Sequence, residues 1–218
     1  MFSRKMNYHD YLQIDKLLGA QKLESQIQGK PAHDEMLFII IHQVYELWFK
    51  QILTEVGSVL DIFSQDYVDE KLMDLIVSRL QRVVVIQKIL IDQVHVMETL
   101  TPLDFLEFRD LLIPASGFQS LQFRQLETRL GLRREQRLKY NQADYDQSLN
   151  PNQRAPMVKL ESEPSLFERV EKWLERTPFL KMRGFDFWDS YQKAVEHSLK
   201  TDLQIIEDNP NLGDSDKK

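Results

Sequence analysis

The sequence predicts an all-α protein, a bundle of helices. Glycine is scarce, with only 7 in 218 residues, and a chain poor in glycine favours helix. Apolar residues recur at three- and four-residue spacing over long segments, which is the period of an amphipathic helix. A chain of this length buries about 70% of the surface that its unfolded form exposes. We therefore expect a single all-α domain over residues 1–208, followed by a polar, turn-rich and disordered tail over residues 209–218.

The first half of the chain predicts one short and two long helices. A short opening helix is expected over residues 11–18, and a Gly/Pro break separates it from a helix over residues 34–63. Asp34 is the expected N-cap of that long helix. Its first turns are apolar on nearly every side, as in a helix buried in a bundle. A second long helix is expected over residues 69–100, where apolar residues keep the helical period.

The middle of the chain carries helix-capping patterns. Thr101 followed by Pro102 predicts a short helix, because threonine caps well and proline suits the first helical position. That helix is expected to end near residues 113–114. Ser116, with a glutamine three residues later, fits a capping box, and the helix that follows is expected to stop at Gly131.

The remaining chain predicts a long loop and two helices. Residues 133–163 are polar and interrupted by Asn-Pro and Ala-Pro pairs, so we expect a long excursion without regular structure there. Pro164 is expected to open a helix that Thr177 and Pro178 close. A last helix is expected over residues 185–206.

Composition and charge argue against several classes of function. Lys plus Arg number 28 and Asp plus Glu 34, giving a formal net charge of -6, which argues against a dedicated nucleic-acid binder. The chain has no cysteine, which excludes disulfides, thiolate metal ligands and cysteine nucleophiles. Its longest apolar run, residues 36–41, is far shorter than the ~20 residues of a membrane span. With no signal-peptide pattern at its start, we expect a soluble, cytoplasmic protein without a membrane partner.

His42 is the first candidate for chemistry, since phosphate loops, nucleophile elbows and His-Glu-x-x-His pairs are absent from the sequence. It lies in the most apolar predicted helix, on a stripe with Phe38, Tyr45, Phe49, Ile52 and Val56. An imidazole in such surroundings is expected to be desolvated, which favours its neutral form. It could exchange a proton or ligate a metal, or it could be a core histidine hydrogen-bonded to a neighbour.

Arg109 is the second candidate, because it stands among phenylalanines in the short helix expected after Thr101. A guanidinium there could bind a carboxylate through two hydrogen bonds. The alternative is a surface ion pair with Glu107 or Asp110.

Two weaker patterns involve histidine–carboxylate and tyrosine pairs. His42 and His95 each have a glutamate one helical turn later, but neither pair repeats as a di-iron bundle requires. Tyr8 and Tyr11 are three residues apart and could stack on an aromatic ligand or serve as half-buried anchors.

Several segments of the chain resemble a known family. Residues 33–50, HDEMLFIIIHQVYELWFK, are similar to the signature of the tryptophan 2,3-dioxygenase family. So are residues 101–110, TPLDFLEFRD, and residues 114–124, PASGFQSLQFR. Residues 8–12 and 173–178 match in the family's order as well, so that the resemblance spans nearly the whole chain.

The resemblance implies an all-α, homotetrameric enzyme of the haem-dependent tryptophan/indoleamine dioxygenase type. Enzymes of this family carry haem b and use O2 to open the indole C2–C3 bond of L-tryptophan. The product is N-formylkynurenine, and the reaction is the first step of tryptophan degradation by the kynurenine pathway.

The resemblance also implies roles for single residues. His42 matches the distal-side histidine that faces the indole N–H, and it is the expected catalytic residue. Arg109 matches the arginine that holds the substrate carboxylate, and Phe38 matches the aromatic wall packed on the indole. Ser116 matches a serine close to the haem and the bound oxygen. Further pocket-lining residues, and an N-terminal tyrosine pair that in the family completes a neighbouring subunit's pocket, extend the expected substrate-binding set to Ile39, Ile40, Ile41, Phe105, Leu112, Tyr8 and Tyr11.

The sequence departs from the family pattern at the iron. Family chains continue into a second half with the proximal haem histidine and a Gly/Ser-rich substrate loop, and this sequence has neither motif. His9, His33, His95 and His197 do not stand in the ligand motif, so we expect no metal ligand in this chain. A fragment, a cleaved product, a split enzyme and a degenerate, non-catalytic relative stay open. An oxygenase of another indole is a further alternative, although Arg109 favours an amino-acid substrate.

Overall fold

The computed structural model describes residues 6–137, 149–176, 181–182 and 185–207. Helices make up most of these residues, which confirms the all-α prediction. Two strands of two residues each, β1 (Lys181–Met182) and β2 (Phe185–Asp186), pair antiparallel. The α-helices described are α1 (Tyr8–Leu12), α2 (Ile14–Leu18), α3 (Glu24–Ile27), α4 (Glu35–Phe63), α5 (Met73–Met97), α6 (Pro102–Leu106), α7 (Leu121–Leu130), α8 (Pro151–Glu161), α9 (Leu166–Arg176) and α10 (Phe187–Glu207). Short 3₁₀ helices occupy Glu70–Leu72, Arg109–Leu112, Gly117–Gln119 and Arg134–Gln136.

The chain divides into two compact units, Met1–Arg169 and Val170–Lys218. The first unit holds α1 to α8 and the start of α9. The second holds the end of α9, the β1–β2 pair and α10. The single domain over residues 1–208 stays a prediction, and the tail at residues 209–218 lies outside the described residues.

The core of the first unit forms where α4 packs on α5 and α7. The buried stripe of α4 follows the helical period, and Ile52 and Val56 in it are 0% exposed. Facing side chains come from Val83, Ile86 and Leu90 of α5 and from Leu126 of α7. Each side chain of this size stabilises the fold by roughly 1.5–3 kcal/mol when it is fully buried.

An ion pair between the buried Glu55 and the half-exposed Arg82 ties α4 to α5. The carboxylate of Glu55 accepts hydrogen bonds from the Arg82 guanidinium at 2.6 Å and from the Gln51 amide at 2.7 Å. Because a buried carboxylate is costly without such partners, the pair restricts how α5 can sit along α4.

The helix starts and stops that rest on capping residues are mostly confirmed. α4 begins one residue after Asp34, although the Asp34 side chain makes no capping hydrogen bond. Thr101 Oγ1 accepts from the Asp104 amide at 3.3 Å at the start of α6. Ser116 forms the predicted capping box, but on the 3₁₀ helix Gly117–Gln119. The helix expected to follow Ser116 directly begins later, at Leu121, where Ser120 is the N-cap. Gly131, with φ 116°, ends α7 in the left-handed region that glycine tolerates.

The opening of the chain differs from the prediction. Two short helices replace the single helix expected over residues 11–18, since Gln13 takes a left-handed conformation with φ 52° between α1 and α2. α1 begins three residues earlier than expected because Asn7 caps it, accepting a hydrogen bond from the Asp10 amide at 2.8 Å.

The structure also corrects the position of Arg109. The helix that starts at Pro102 ends at Leu106, well before residues 113–114. Phe108 leaves the helical conformation, with φ −127°, and its side chain is completely buried. Arg109 therefore begins a separate 3₁₀ helix rather than lying inside the capped helix.

The expected excursion over residues 133–163 is wrong in its later part, where α8 forms. The Asn150–Pro151 pair, interpreted as a break, is a helix start: Asn150 accepts from the Gln153 amide at 3.0 Å and Pro151 takes the first position. Met157 and Leu160 of α8 are buried, which stabilises the helix despite a proline inside it.

The last predicted helices are present with shifted starts. α9 begins at Leu166 rather than at Pro164, because Ser165 caps it by accepting from the Glu168 amide at 3.3 Å. α10 begins at Phe187 because residues 185–186 belong to β2. The pair expected to close α9, Thr177 and Pro178, lies outside the described residues. None of the described helices is both long and apolar enough to cross a lipid bilayer.

We predict that Ile52→Ala lowers the free energy of unfolding by about 2–5 kcal/mol, because it leaves a cavity in the core. The matched control is Ile91→Ala in α5, where the isoleucine is 68% exposed and the loss should stay within about 0.5 kcal/mol. Urea denaturation of the chain and the two variants measures both. Equal losses would contradict the packing of α4 against α5 and α7.

Candidate functional site

A cavity of about 730 Å³ opens in the first unit between α4, the end of α5 and the segment 112–123. Its volume lies in the range of small-molecule sites, and its lining is mainly apolar. The structure places six of the predicted site residues in its wall: Phe38, Ile39, Ile41, His42, Leu112 and Ser116.

His42 contributes an imidazole with one nitrogen engaged. Its Nδ1 lies 2.6 Å from the backbone carbonyl oxygen of Phe38, one helical turn earlier. A carbonyl oxygen can only accept, so this hydrogen bond requires a proton on Nδ1. In the neutral imidazole Nε2 then carries a lone pair and can accept a hydrogen bond from a ligand.

The expected desolvation of His42 is wrong for this structure, in which the residue is exposed. The apolar stripe of α4 is buried from Phe49 onward, where α5 and α7 pack on it. Towards the N-terminus of α4 the same stripe reaches the cavity instead. His42 therefore faces open space that a ligand could fill.

Three phenylalanines form a cluster behind the His42 ring. The Phe38 ring lies 4.3 Å from the His42 ring, centroid to centroid, and stacks on Phe105 at 5.6 Å. The buried Phe108 meets both Phe38 and Phe105 edge-on, at 5.6 and 5.4 Å. Phe105 does not line the cavity itself, but it supports the Phe38 wall from behind.

Arg109 stands next to this cluster, outside the cavity wall. Its guanidinium carbon lies 5.8 Å from the centre of the Phe105 ring, within the range of a cation–π contact. The residue is exposed, and no ion pair with Glu107 or Asp110 is found. Among the described residues its guanidinium has no hydrogen-bond or ion-pair partner, and its five N–H donors can bind an anion.

Three predicted residues lie away from the cavity. Ile40 is 43% exposed, on another face of α4. Tyr8 and Tyr11 of α1 are 75% and 69% exposed and line no part of the cavity of their own chain.

Sequence analysis missed Glu35, which is completely buried in the first turn of α4. Its carboxylate accepts hydrogen bonds from the backbone amides of Glu24 and Ser25 at 2.8 and 3.0 Å, and from the Ser25 hydroxyl. These amides open α3, whose first N–H groups have no partner within the helix. Glu35 thereby holds the segment around Lys22 and Glu24, which forms one wall of the cavity, against α4. No residue pattern signals this bond, because its partners are mainly backbone amides.

Tyr45 was assigned to the apolar stripe, and the structure adds a polar role. Its hydroxyl donates to the backbone carbonyl of Leu90 in α5 at 2.6 Å, and its ring lines the cavity. Burial raises the pKa of the Tyr45 hydroxyl above its ordinary value of 10.0.

One part of the cavity wall is apolar. It consists of Phe49, Val94, Met97, Leu112 and Phe123, side chains that suit a flat and largely apolar group such as the haem that the resemblance implies. Among the described residues no three His, Cys, Asp or Glu side chains are placed to hold a metal ion. The expectation that this chain supplies no iron ligand stays a prediction.

Comparison with known proteins identifies similar sequences over almost the entire chain. A family model described as tryptophan 2,3-dioxygenase matches residues 1–216. A Bdellovibrio bacteriovorus protein named tryptophan 2,3-dioxygenase is 54% identical over 212 residues, covering 97% of this chain and 59% of that protein. Proteins of the same name from Alteromonas mediterranea and Dictyostelium discoideum are 51% and 50% identical, covering 97% and 94% of this chain.

The matched region is only part of each relative. It covers 58% of the Alteromonas protein and 51% of the Dictyostelium protein. The chain therefore spans between half and three-fifths of the length of these relatives.

We predict that Tyr45→Phe lowers the free energy of unfolding by about 0.5–1.5 kcal/mol at neutral pH, through loss of the hydrogen bond to Leu90. Because the pKa of Tyr45 is raised in the fold, the unfolded chain loses this proton first as pH rises above 10.0. The free energy of unfolding should therefore fall as pH rises through that range, and it should fall less in Tyr45→Phe. Urea titrations at pH 8 and 10.5 measure the free energy of unfolding of the chain and the variant. The control is Tyr67→Phe, since Tyr67 is 73% exposed. An identical alkaline loss in both variants would contradict the role of Tyr45.

Proposed function

Because the chain belongs to the tryptophan 2,3-dioxygenase family, we propose that it forms the substrate-binding part of a haem-dependent dioxygenase. The proposed reaction opens the indole C2–C3 bond of L-tryptophan with O2 and gives N-formylkynurenine. The observation that supports it most is the cavity whose wall holds both the His42 imidazole, with Nδ1 bonded to the Phe38 carbonyl, and the Phe38 ring. It combines a hydrogen-bond acceptor with an aromatic wall, which is what an indole N–H and an indole ring require.

His42 is proposed to orient the indole. Its Nδ1–H is committed to the Phe38 carbonyl at 2.6 Å, so the lone pair on Nε2 accepts from the indole N–H. The same bond fixes the plane of the imidazole. His42 then holds the proton of the indole nitrogen at one defined position while the ring reacts.

Phe38 is proposed to pack on the indole face. Its ring is held by Phe105 and Phe108, so it presents a fixed aromatic surface. Ile39, Ile41 and Leu112 add apolar wall around it and exclude water from the bound indole.

Arg109 is proposed to bind the carboxylate of the amino-acid substrate. Its guanidinium is exposed and carries no ion pair among the described residues, while Phe105 supports it from one side. A planar guanidinium can bind a carboxylate with two parallel hydrogen bonds. This requirement for a carboxylate separates amino-acid substrates from simple indoles.

Haem b is the proposed cofactor, against the apolar wall of Leu112 and Phe123 with the Ser116 hydroxyl nearby. When bound, haem supplies the iron at which O2 is activated. The protein residues contribute a shaped apolar surface and a small number of polar groups.

The homotetramer and the cytoplasmic location expected from the family belong to the same proposal. Tyr8 and Tyr11 are proposed to complete the cavity of a neighbouring subunit. Both are largely exposed and do not line the cavity of their own chain. Side chains that contact a neighbouring subunit are expected to be exposed in this way in a single chain.

A second candidate is a non-catalytic helical relative. The observation that favours it is coverage, since this chain spans only 51% to 59% of the length of the three relatives. Turnover of L-tryptophan by a haem-loaded assembly that contains this chain decides between the two, because a non-catalytic relative gives none.

We predict that Arg109→Ala lowers kcat/KM for L-tryptophan about 10- to 100-fold in an active assembly containing this chain, because charged hydrogen bonds to the carboxylate are lost. The loss should appear mainly as a higher KM, with kcat little changed. Arg79→Ala, on α5 and outside the cavity wall, is the matched control. An unchanged kcat/KM for Arg109→Ala would rule out the carboxylate role.

We predict that His42→Ala lowers turnover about tenfold or more in the same assembly while the haem absorption spectrum is retained, because the indole loses its acceptor. His95→Ala, an exposed histidine of α5 paired with Glu98, serves as control. Loss of haem from His42→Ala would show that this imidazole ligates the iron instead.

A further inference from the structure

Glu46 lies one helical turn after His42 and reaches across the cavity wall to α7. Its carboxylate oxygen Oε1 accepts from the Ser120 hydroxyl at 2.5 Å, and Oε2 accepts from the side-chain amide nitrogen Nε2 of Gln122 at 2.7 Å. The same Gln122 Nε2 also donates to the Glu46 backbone carbonyl at 2.9 Å. The residues joined are more than 70 positions apart in sequence.

The Glu46 carboxylate is stabilised by two neutral hydrogen-bond donors and by its position at the N-terminus of α7. No lysine, arginine or histidine among the described residues pairs with it, and it is partly buried. Ser120 is the N-cap of α7 and Gln122 lies in its first turn. The positive end of the α7 dipole therefore offsets the charge.

This contact fixes the turn that carries Ser116. The Ser120 hydroxyl makes two hydrogen bonds: it donates to Glu46 Oε1 and accepts from the backbone amide of Phe123 at 3.2 Å. Directly before it, Ser116 and Gln119 close their capping box, with the Ser116 amide donating to Gln119 Oε1 at 3.2 Å. The turn is thus rigid in itself and is attached to α4 at one end through Glu46.

His42 and Ser116 face the same cavity from these two elements. His42 lies on α4, four residues before Glu46, and Ser116 lies four residues before Ser120. The bond between Glu46 and Ser120 therefore sets the separation of the two cavity walls.

We propose that Glu46 is the positioning residue of the cavity, which locks the 116–120 turn and the start of α7 at a fixed distance from His42. Glu46 and Ser120 both line the cavity, and in this role Glu46 acts through the turn that it holds. The expected effect of Glu46 on activity rests on the proposed function. The positioning of the turn does not, because it can be measured in the chain alone.

The test is hydrogen exchange of the 218-residue chain, with Glu46→Gln as the variant. A glutamine has one acceptor oxygen and one NH2 group, so Ser120 and Gln122 can no longer both donate to it, and the negative charge at the start of α7 is removed. Amides of residues 116–124 should exchange about tenfold faster, while the α4–α5 core keeps its protection. Glu98→Gln, an exposed glutamate bound to His95, is the matched control and should change neither region.

Unchanged exchange at residues 116–124 in Glu46→Gln would overturn the proposal, and so would an equal acceleration throughout the core, which marks general destabilisation. Gln122→Ala, which removes the side-chain amide that donates to Glu46 and keeps the Ser120 N-cap, should accelerate the same segment and keeps the test decisive if Glu46→Gln folds poorly.

A kcat measurement on the same variants distinguishes failure of this proposal from failure of the proposed function. In an active assembly, Glu46→Gln should lower kcat about tenfold with haem absorption retained, and Glu46→Ala should lower it further. Faster local exchange with unchanged kcat would support the positioning of the turn and count against this cavity as the site of reaction.

Discussion

The packing of one side-chain stripe of α4 supports both the core and the cavity. From Phe49 to Leu60 the stripe is buried against α5 and α7. Two turns earlier the same stripe continues as Phe38, His42 and Tyr45 and lines the cavity. Because both parts lie on one rigid helix, the burial of Ile52 and Val56 determines where the His42 ring stands. Loss of that packing would therefore remove the site together with the fold.

Four polar side chains of α4 hold the neighbouring elements around this helix. Glu35 holds the start of α3, Tyr45 and Glu55 bind α5, and Glu46 binds the start of α7. Three of them are carboxylates, and only Glu55 among these has a cationic partner in the described part of the chain. The other two are satisfied at helix starts. Glu35 accepts from backbone amides that have no partner within α3, and Glu46 accepts from the Ser120 hydroxyl and the Gln122 side-chain amide. The apolar stripe thus provides stability, and the polar contacts fix the position of the cavity walls.

The sequence predicted the parts of the fold that local rules control. α4 begins directly after Asp34 and ends at the expected residue, and the caps at Thr101 and Gly131 are present. The capping box at Ser116 is present too, but on a 3₁₀ helix, and Ser120 caps α7. The α8 helix was missed because the Asn150–Pro151 pair can mark either a break or a helix start, and only the burial of Met157 and Leu160 decides between them.

The candidate site was predicted residue by residue but not as a geometry. Helical spacing placed His42 beside Phe38, the resemblance added Leu112 and Ser116, and the structure places all four in one cavity wall. The exposure of His42 depends on where α5 and α7 stop covering α4, which periodicity cannot show. Glu35 and Glu46 escaped notice because their partners are distant residues and backbone amides.

The central claim is that His42 faces the indole and does not ligate iron. A haemin titration of the purified 218-residue chain, followed by absorbance with and without L-tryptophan and repeated with His42→Ala, tests it most directly. We predict that the chain and the variant give the same response, with no saturable Soret shift that depends on His42. A one-per-chain Soret shift that His42→Ala abolishes would contradict the claim and make His42 the iron ligand.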